Sequence, residues 1–400
     1  MLFPIIDDPL FTDRDEEVNL LKTLVLSAFE LEKNADAKER VLHLIGSPGV
    51  GKTTLLQKYN YYLRYEMQNV CPILVSFKDY ENLSVDEFRK KTLVSFNVQI
   101  TSHLGIHLLD ENDITENTVK HNVEMLQKDK AVVVLIDEIN VLRDELVHTL
   151  EDYVLALWLY LPRLIIVLAG RNLVTGWKDF NLRPYKGNNV VELLSFDRDN
   201  TKKQIEKLNP HAVHLAPVIY EITLGLPGNN KKILDNAIGN PLQIVENDAV
   251  RVCNQELYDA VDVVGRNLSD KKNLATELLP ALEALCVLQD FDKEYEMPVL
   301  LAAHKTLEGI WNVKRCATLL SILTSIQIGP GKLIDWDKNK NAFAIVEQNR
   351  RSLEQELKIR DKKMWEVLHD TAMKMYSKWA IEYNSDIFAK KTAYHKSMLE

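Results

Sequence analysis

Gly46-Ser47-Pro48-Gly49-Val50-Gly51-Lys52-Thr53-Thr54 is the stretch on which the reading of this chain turns. A short apolar run, Val41 to Ile45, precedes it, and a segment with helical spacing (Leu55, Leu56, Tyr59, Tyr62) follows. Strand, glycine-rich loop and helix with G-x-x-x-x-G-K-[ST] at the bend is the phosphate-loop pattern. Glycine lets successive backbone N–H groups turn inward around a phosphate, where a side chain would obstruct them. The helix that starts at the loop adds its positive dipole end to the same anion. On this reading Gly46, Gly49, Val50, Gly51 and Thr54 belong to the phosphate cradle. Lys52 reaches the β- and γ-phosphates, and the Thr53 hydroxyl holds Mg²⁺. The plain alternative is a Gly/Pro turn before an ordinary helix, and it recedes once the loop's partners are found downstream.

The first partner is Val132-Val133-Val134-Leu135-Ile136-Asp137-Glu138, a run with the form of a Walker B strand. A carboxylate ending a core strand next to the phosphate loop is placed to hold the Mg²⁺ shared with Thr53, which is the role expected of Asp137. Glu138 lies one residue on, so its side chain points elsewhere, towards an attacking water, and its expected role is general base. Arg171 ends the following strand, Leu164 to Leu168 with Ala169-Gly170, beside the same rim of the sheet. A guanidinium there reads the γ-phosphate, a contact made with triphosphate and lost with diphosphate; Asn172 is the alternate. The structural alternatives are an Asp-Glu pair that caps the next helix and an arginine facing solvent.

Strand-length runs without polar alternation are buried on both faces, as in a parallel sheet covered by helices. Pro72 to Phe77, Ala131 to Ile136 and Leu164 to Leu168 are of this kind, and Val190 to Leu194 is a candidate last strand. The fold class is therefore α/β with a parallel sheet. Around these strands, residues 10–32 read as a helix capped by Asp13 or Thr12, Ser84-Val85-Asp86-Glu87 as a capping box, and Val119 to Lys128 as a further helix. From Asp199 helical spacing dominates: one helix starts at Asn200-Thr201, and another, His214 to Leu224, stops at Gly225-Leu226-Pro227-Gly228. Asn267 to Asn273 is the best linker, and Pro280 is expected to kink or split the apolar helix Leu274 to Leu288. Helices to about Thr324, then two short strands joined across Trp336 to Lys340, form a winged-helix pattern. The expected domains are 1–198, an ATPase core; 199–268, a helical lid; 269–348, a winged helix; and 349–400, a helical segment with Trp365, Leu368 and Ala372 on one face.

Composition is that of a soluble globular protein, 46% hydrophobic and 27% charged, and a length of 400 residues suits two or three domains. The net charge of −9 argues against wholesale coating of nucleic acid. Residues 331–400 carry 14 Lys/Arg against 11 Asp/Glu, so the end is mildly basic. Four scattered cysteines without a C-x-x-C pair, each among apolar neighbours, fit free thiols in a reducing cytosol. His211 and His214 lack the company a metal site needs. The N-terminus is no signal peptide, and Val154 to Gly170, split by Pro162-Arg163, reads as a helix end followed by a core strand and not as a membrane span. A cytoplasmic protein is expected.

These residues resemble a known family, the signal-transduction ATPases with numerous domains (the STAND class of AAA+-like P-loop ATPases), which includes plant resistance proteins, apoptosome scaffolds, bacterial transcription activators and prokaryotic antiviral sensors. Phe11-Thr12-Asp13-Arg14-Asp15-Glu16-Glu17 resembles the family's F-x-G-R-x-x-E opening, with Asp13 where Gly is usual. The Walker A loop and the Walker B strand with its Glu follow, and Leu168-Ala169-Gly170-Arg171 is similar to the sensor strand. Tyr220 to Gly228 looks like the lid's G-x-P motif, which brings Pro227 near the adenine; Gly239-Asn240-Pro241 is a second candidate. The resemblance covers roughly residues 10–350. It implies ATP or ADP with Mg²⁺ as ligands, Arg14 and Pro227 at the nucleotide, a closed ADP form and self-association in the ATP state. Leu368-His369-Asp370 imitates the family's M-H-D but falls after the helix Asn349 to Leu357; Arg350 or Arg351 is the better-placed residue for that contact.

Three readings compete. A slowly hydrolysing, ATP-assembling switch in signalling or defence leads, with a protein or nucleic-acid trigger unknown and no membrane partner. An initiator-type AAA+ protein gripping DNA through its winged helix is the second, and a basic recognition helix is missing from 273–324. A nucleotide-pinned adaptor without turnover is the third, and Glu138→Gln separates it from the first.

Overall fold

A computed structural model describes residues 14–30, 40–107, 109–111, 113–155, 158–159, 161, 163–174, 176–184, 189–236, 247–268, 272–328, 331–337 and 341–400. The chain divides into two compact units, Met1–Phe196 and Asp197–Glu400.

In the first unit α1 (Asp15–Glu30) and β1 (Val41–Gly46) lead into α2 (Lys52–Tyr65), then β2 (Val70–Ser76), α3 (Val85–Leu104), α4 (Glu116–Leu126) and β3 (Ala131–Asp137). α5 (Asp144–Leu150), β4 (Leu164–Gly170) and β5 (Val190–Leu193) complete it. The strands form one sheet in the order β2-β3-β4-β1-β5, every pair parallel. β3 and β4 are buried along their whole length, which explains their unbroken apolar character. The register pairs Ile45 with Gly170 and Ile136 with Leu168. The glycine loop, Asp137 and Arg171 therefore leave the sheet at one rim, the carboxyl end of the strands. The Walker B strand does not adjoin the phosphate-loop strand: β4 lies between them, its backbone hydrogen-bonded to β1 along one edge and to β3 along the other.

The capping box is present: Ser84 Oγ accepts from Glu87 N at 3.4 Å, and Glu87 Oε2 accepts from Ser84 N at 3.0 Å. α4 starts three residues earlier than its apolar spacing suggests, because Thr115 caps it, accepting from Thr118 N. The caps expected for the first helix, Thr12 and Asp13, lie outside the described residues. β2 is an edge strand, and α3 covers its outward peptide groups. The Gln99 amide accepts from Leu74 N at 2.9 Å and donates to Leu74 O at 2.8 Å, mimicking a ladder neighbour.

The second unit is almost all helix: α6 (Arg198–Leu208), α7 (Ala216–Thr223), α8 (Pro227–Asn236), α9 (Asn247–Arg266), α10 (Lys272–Leu285), α11 (Glu296–Ala303), α12 (Val313–Leu323), α13 (Glu347–Arg360), α14 (Lys362–Glu382) and α15 (Asp386–Leu399). α6 begins ahead of Asn200, capped by Asp197. The helix expected over 214–224 is in two parts, a 3₁₀ turn Pro210–Leu215 and then α7, which stops where Leu224 and Gly225 take left-handed φ of 51° and 72°. α10 runs through Pro280 without a break. An interior proline costs about 3 kcal/mol, whereas burying each of Leu278, Leu282 and Leu285 is worth roughly 2 kcal/mol, so packing prevails.

Four short strands follow α12: β6 (Gln327–Ile328) pairs with β7 (Gly331–Lys332), and β8 (Ile334–Asp337) with β9 (Ala342–Ile345), both antiparallel. Trp336 and Asp337, expected in the bend, stand in β8 opposite Phe343 and Ala342. Phe291, between α10 and α11, bridges to Phe343 on the far side of β9. One apolar cluster runs from Leu257 in α9 to Tyr376 in α14, with Trp365, Leu368 and Ala372 in it as expected, while α6, α7 and α8 pack around a cluster of their own. Among the described residues no helix is long and apolar enough to cross a membrane.

Candidate functional site

The loop after β1 is built on conformations that side chains avoid. Gly49 and Gly51 have φ of 78° and 99°. A Cβ on Gly51 would meet nothing within 4 Å, so glycine is there for its backbone and not for space. Val50 is buried beneath the loop while Ser47, Pro48 and Gly49 are exposed. Lys52 is the first residue of α2, and its ammonium donates to Gly46 O at 2.6 Å and Ser47 O at 3.0 Å. Burial, then the nearby Arg171 charge, lower its pKa to about 8, against the pull of Asp137 and Glu138.

Thr53, one residue into α2, donates its hydroxyl to Asp137 Oδ2 at 2.7 Å. Asp137 is 3% exposed at the end of β3, and Glu138 N donates to its other oxygen at 3.0 Å. Burial pushes its carboxyl above the usual range, partly offset by the Thr53 bond. One hydroxyl and one carboxylate side by side suit Mg²⁺, which takes its remaining oxygens from phosphate and water. The residues present thus fit a magnesium-bound triphosphate.

Glu138 leaves β3 with φ 57°, in the left-handed region that non-glycine residues rarely adopt. Its carboxyl is half-buried and raised by burial first and by Asp137 second, with Lys78, Arg171 and Lys52 pulling the other way. A raised carboxyl is the better proton acceptor near neutral pH. Arg171 N donates to Asn140 Oδ1 at 2.8 Å, which fixes the end of β4. A Cβ on Gly170 would lie 3.0 Å from Ile139 Cγ2 and 3.1 Å from Asn140 Oδ1, so a larger residue would press on the Asn140 side chain. Lys52, Thr53, Asp137, Glu138 and Arg171 are brought together. Asn140 was not singled out in the sequence; its only signal is a polar residue three positions after Asp137.

Arg14 also reaches the loop, though through its backbone. It donates to Val50 O at 3.2 Å and Leu194 O at 2.6 Å, and lies over the Phe196 ring. Its guanidinium braces the loop against the segment after β5. The rest of that opening motif, Phe11 to Asp13, lies outside the described residues, as does Gly239-Asn240-Pro241. Pro227 belongs to the second unit, where it starts α8 and its carbonyl accepts from Gln204 Nε2 at 3.1 Å. Arg350 is fully buried in the second unit, bound to Glu347, Glu354 and Cys286 O, and Arg351 is bound to Glu347. His369 is equally buried, between Glu354 and His395. Each of these three is committed inside its own unit.

Residues 35–171 match the family model of the AAA domain. The fold is that of an AAA-type P-loop domain followed by a helical region. The matched span opens ahead of β1 and closes on Arg171, so it contains the loop, Asp137, Glu138 and Arg171 together. Similar solved structures include Cdc6p from Pyrobaculum aerophilum, 15% identical over 91% of this chain and 97% of that one, TM-score 0.43. The Orc1 protein of Aeropyrum pernix in complex with DNA is 13% identical over 90% and 96%, TM-score 0.39. A signal-transduction ATPase with numerous domains and a tetratricopeptide repeat sensor, from Pyrococcus horikoshii, is 14% identical over 99% of this chain and 49% of that one, TM-score 0.35. Likenesses this distant carry no function across. No curated protein sequence matches the chain.

Proposed function

We propose that this chain is an ATP-binding molecular switch of the signal-transduction ATPase class, closed with ADP, self-associating with ATP and hydrolysing slowly. The observation that carries the reading is the Thr53–Asp137 contact of 2.7 Å beside the buried Lys52 ammonium at the mouth of the glycine loop. Bound there, magnesium-ATP supplies the phosphoryl group to be transferred. Lys52 and the loop's backbone N–H groups bind the phosphates, and Thr53 and Asp137 orient the metal. Glu138 accepts the proton of an attacking water on its carboxylate, and Arg171 senses whether the terminal phosphate is present. Phosphoryl transfer asks for this kind of positioning and charge neutralisation more than for covalent help.

The switch class, and not merely nucleotide binding, is supported by the run of features from Arg14 through Leu168-Ala169-Gly170-Arg171 to Gly225-Leu226-Pro227-Gly228. Residues 199–268 are read as the lid, 269–348 as a winged helix and 349–400 as a helical extension. Three helices, then the β8–β9 hairpin with Phe291 bridged to its far edge, support the winged-helix reading.

The test is to identify the nucleotide that co-purifies and to measure mass in solution with ADP and with a non-hydrolysable ATP analogue. ADP held by a monomer, and a larger particle with the analogue, are expected. Glu138→Gln should bind ATP as the native protein does and turn it over roughly 100-fold more slowly. Equal mass in both nucleotides defeats the switch; equal turnover of native and Glu138→Gln removes Glu138 from catalysis.

A further inference from the structure

Away from the nucleotide site, the second unit contains a cavity of about 400 Å³ lined by Asp292, Tyr295, Glu296, Trp379, Tyr383 and Phe388. It opens where the loop before α11 meets the turn from α14 to α15. Its walls are aromatic. Tyr295 stands edge-on to Trp379 with centroids 6.3 Å apart, Trp379 lies 5.4 Å from Phe388, and Phe388 lies 6.2 Å from Tyr383. The two tyrosines are 59% and 60% exposed, so their faces are available from outside. Its charged lining is acidic only.

The chain shows what this corner holds. Next to two of its lining residues, Glu296 and Phe388, the Lys391 ammonium lies over the Tyr376 ring, 4.9 Å from its centroid. It is bonded to Asp290 and sits 3.5 Å from Glu296 Oε1. Tyr376 in turn stacks on Phe388 at 6.0 Å, so the inner site and the cavity share a wall. Asp290 and Glu296 thus share the Lys391 ammonium, and Asp292 adjoins Glu296. Glu296 is 6% exposed, accepts from Asp292 N at 3.0 Å, and is pushed up to about 7 by burial and by the Asp292 side chain. A second cation arriving from outside would relieve that repulsion.

We propose that this cavity is a binding site for an alkylammonium cation, held against the faces of Tyr295, Trp379, Tyr383 and Phe388 with Asp292 and Glu296 as its counter-charges. Aromatic faces attract quaternary and alkylated ammonium ions through the ring quadrupole, more strongly as the ion is desolvated. The volume lies near the small end of ligand cavities, which suits a compact cation and not a nucleotide. Such a cation has two sources, a free amine of choline size or an alkylated lysine side chain.

The experiment is a ligand-observed NMR titration of the full-length protein with choline, with the neutral carbon isostere of choline, and with a short peptide bearing one trimethyllysine. Choline should bind about tenfold more tightly than its isostere, since the cation–π contribution is the difference between them. Tyr383→Ala and Asp292→Asn should each weaken choline several-fold. Tyr383 is largely exposed and asparagine keeps the acceptor that Asp292 offers Glu294 N and Tyr295 N, so both variants should melt as the native protein does. Peptide binding tighter than choline assigns the site to a protein tail, and the reverse to a free amine. Equal binding of choline and its isostere, or choline binding unchanged in both variants, would overturn the proposal.

Discussion

Each unit of this protein buries a cluster of charges, and the two clusters are built on opposite terms. In the second unit Arg350, Glu354 and His369 are almost inaccessible, and each has partners of matching type. Burial pulls the Arg350 pKa down, but the carboxylates of Glu347 and Glu354 outweigh it and hold the guanidinium above its ordinary value. In the AAA domain the balance tips the other way. Among the described residues Lys52 donates to carbonyls of its own loop and falls to about 8, while Asp137 and Glu138 are raised. One cluster is complete within the chain. The other lies at the carboxyl end of the sheet with its ionisation shifted towards the neutral forms. Buried charge alone therefore does not mark a site; buried charge with shifted ionisation at the open rim of a parallel sheet does.

The sharpest way to break this comparison is to delete one cation from each cluster. Arg350→Met should leave Glu354 buried without its arginine, with His369 beside it, and destabilise the protein by about 3–5 kcal/mol, read from urea unfolding. The same variant, while folded, should bind ATP normally. Lys52→Ala should do the reverse, with unfolding nearly unchanged. Its ATP affinity should drop roughly 100-fold, the loss of two charge-assisted hydrogen bonds of about 1.5 kcal/mol each, read by calorimetry. If Lys52→Ala unfolds the protein, the loop lysine is structural and the contrast fails.

The difference also explains what the sequence could disclose. The AAA site is made by local pattern: a loop whose glycines must take left-handed φ, and strands whose unbroken Val/Ile/Leu runs end on Asp137 and Arg171. Each motif reads without knowledge of the rest, and the parallel sheet brings them to one rim. What escaped was relational. That β4 separates β1 from β3 depends on pairing choices among equally apolar strands. Asn140 matters only because β4 ends beside it. In the second unit Arg350, Glu354, His369 and His395 lie on three helices, and no spacing in the sequence announces that they meet. Pro280 inside α10 is a case where local propensity points to a break and the buried leucines on either side override it.

A smaller effect sharpens the picture at the rim itself. Asn140→Ala removes the acceptor of Arg171 N and should cost about 1–2 kcal/mol in unfolding, the usual penalty for a backbone donor left without its bond. Turnover should fall with it as the end of β4 loosens, whereas Asn140→Asp, which keeps an acceptor, should recover most of the stability. Loss of stability with turnover untouched would place Asn140 in the fold and outside the site.

The last contrast is in the response to pH. His395 is held down to about 3 by burial first and by the charge of His369 second. Its folded pKa lies below the unfolded value of about 6.5, so the unfolded chain binds the proton more readily. The stability this histidine contributes is full above pH 6.5 and declines as pH falls towards 3. His43, lowered by burial to about 4, does the same in the first unit. These acid responses concern folding and should not depend on nucleotide. Lys52 belongs to the alkaline side. With its pKa near 8 the ammonium is partly deprotonated at pH 8.5, and the negative charge of bound phosphates draws its pKa back up, so binding must take up protons from solution. Calorimetry of ATP binding at pH 8.5 in buffers of different ionisation heat should therefore report an uptake of a fraction of a proton, shrinking towards zero at pH 7 and absent in Lys52→Met. An uptake that persists in Lys52→Met would assign the proton to another group and remove the lysine from the phosphate contact.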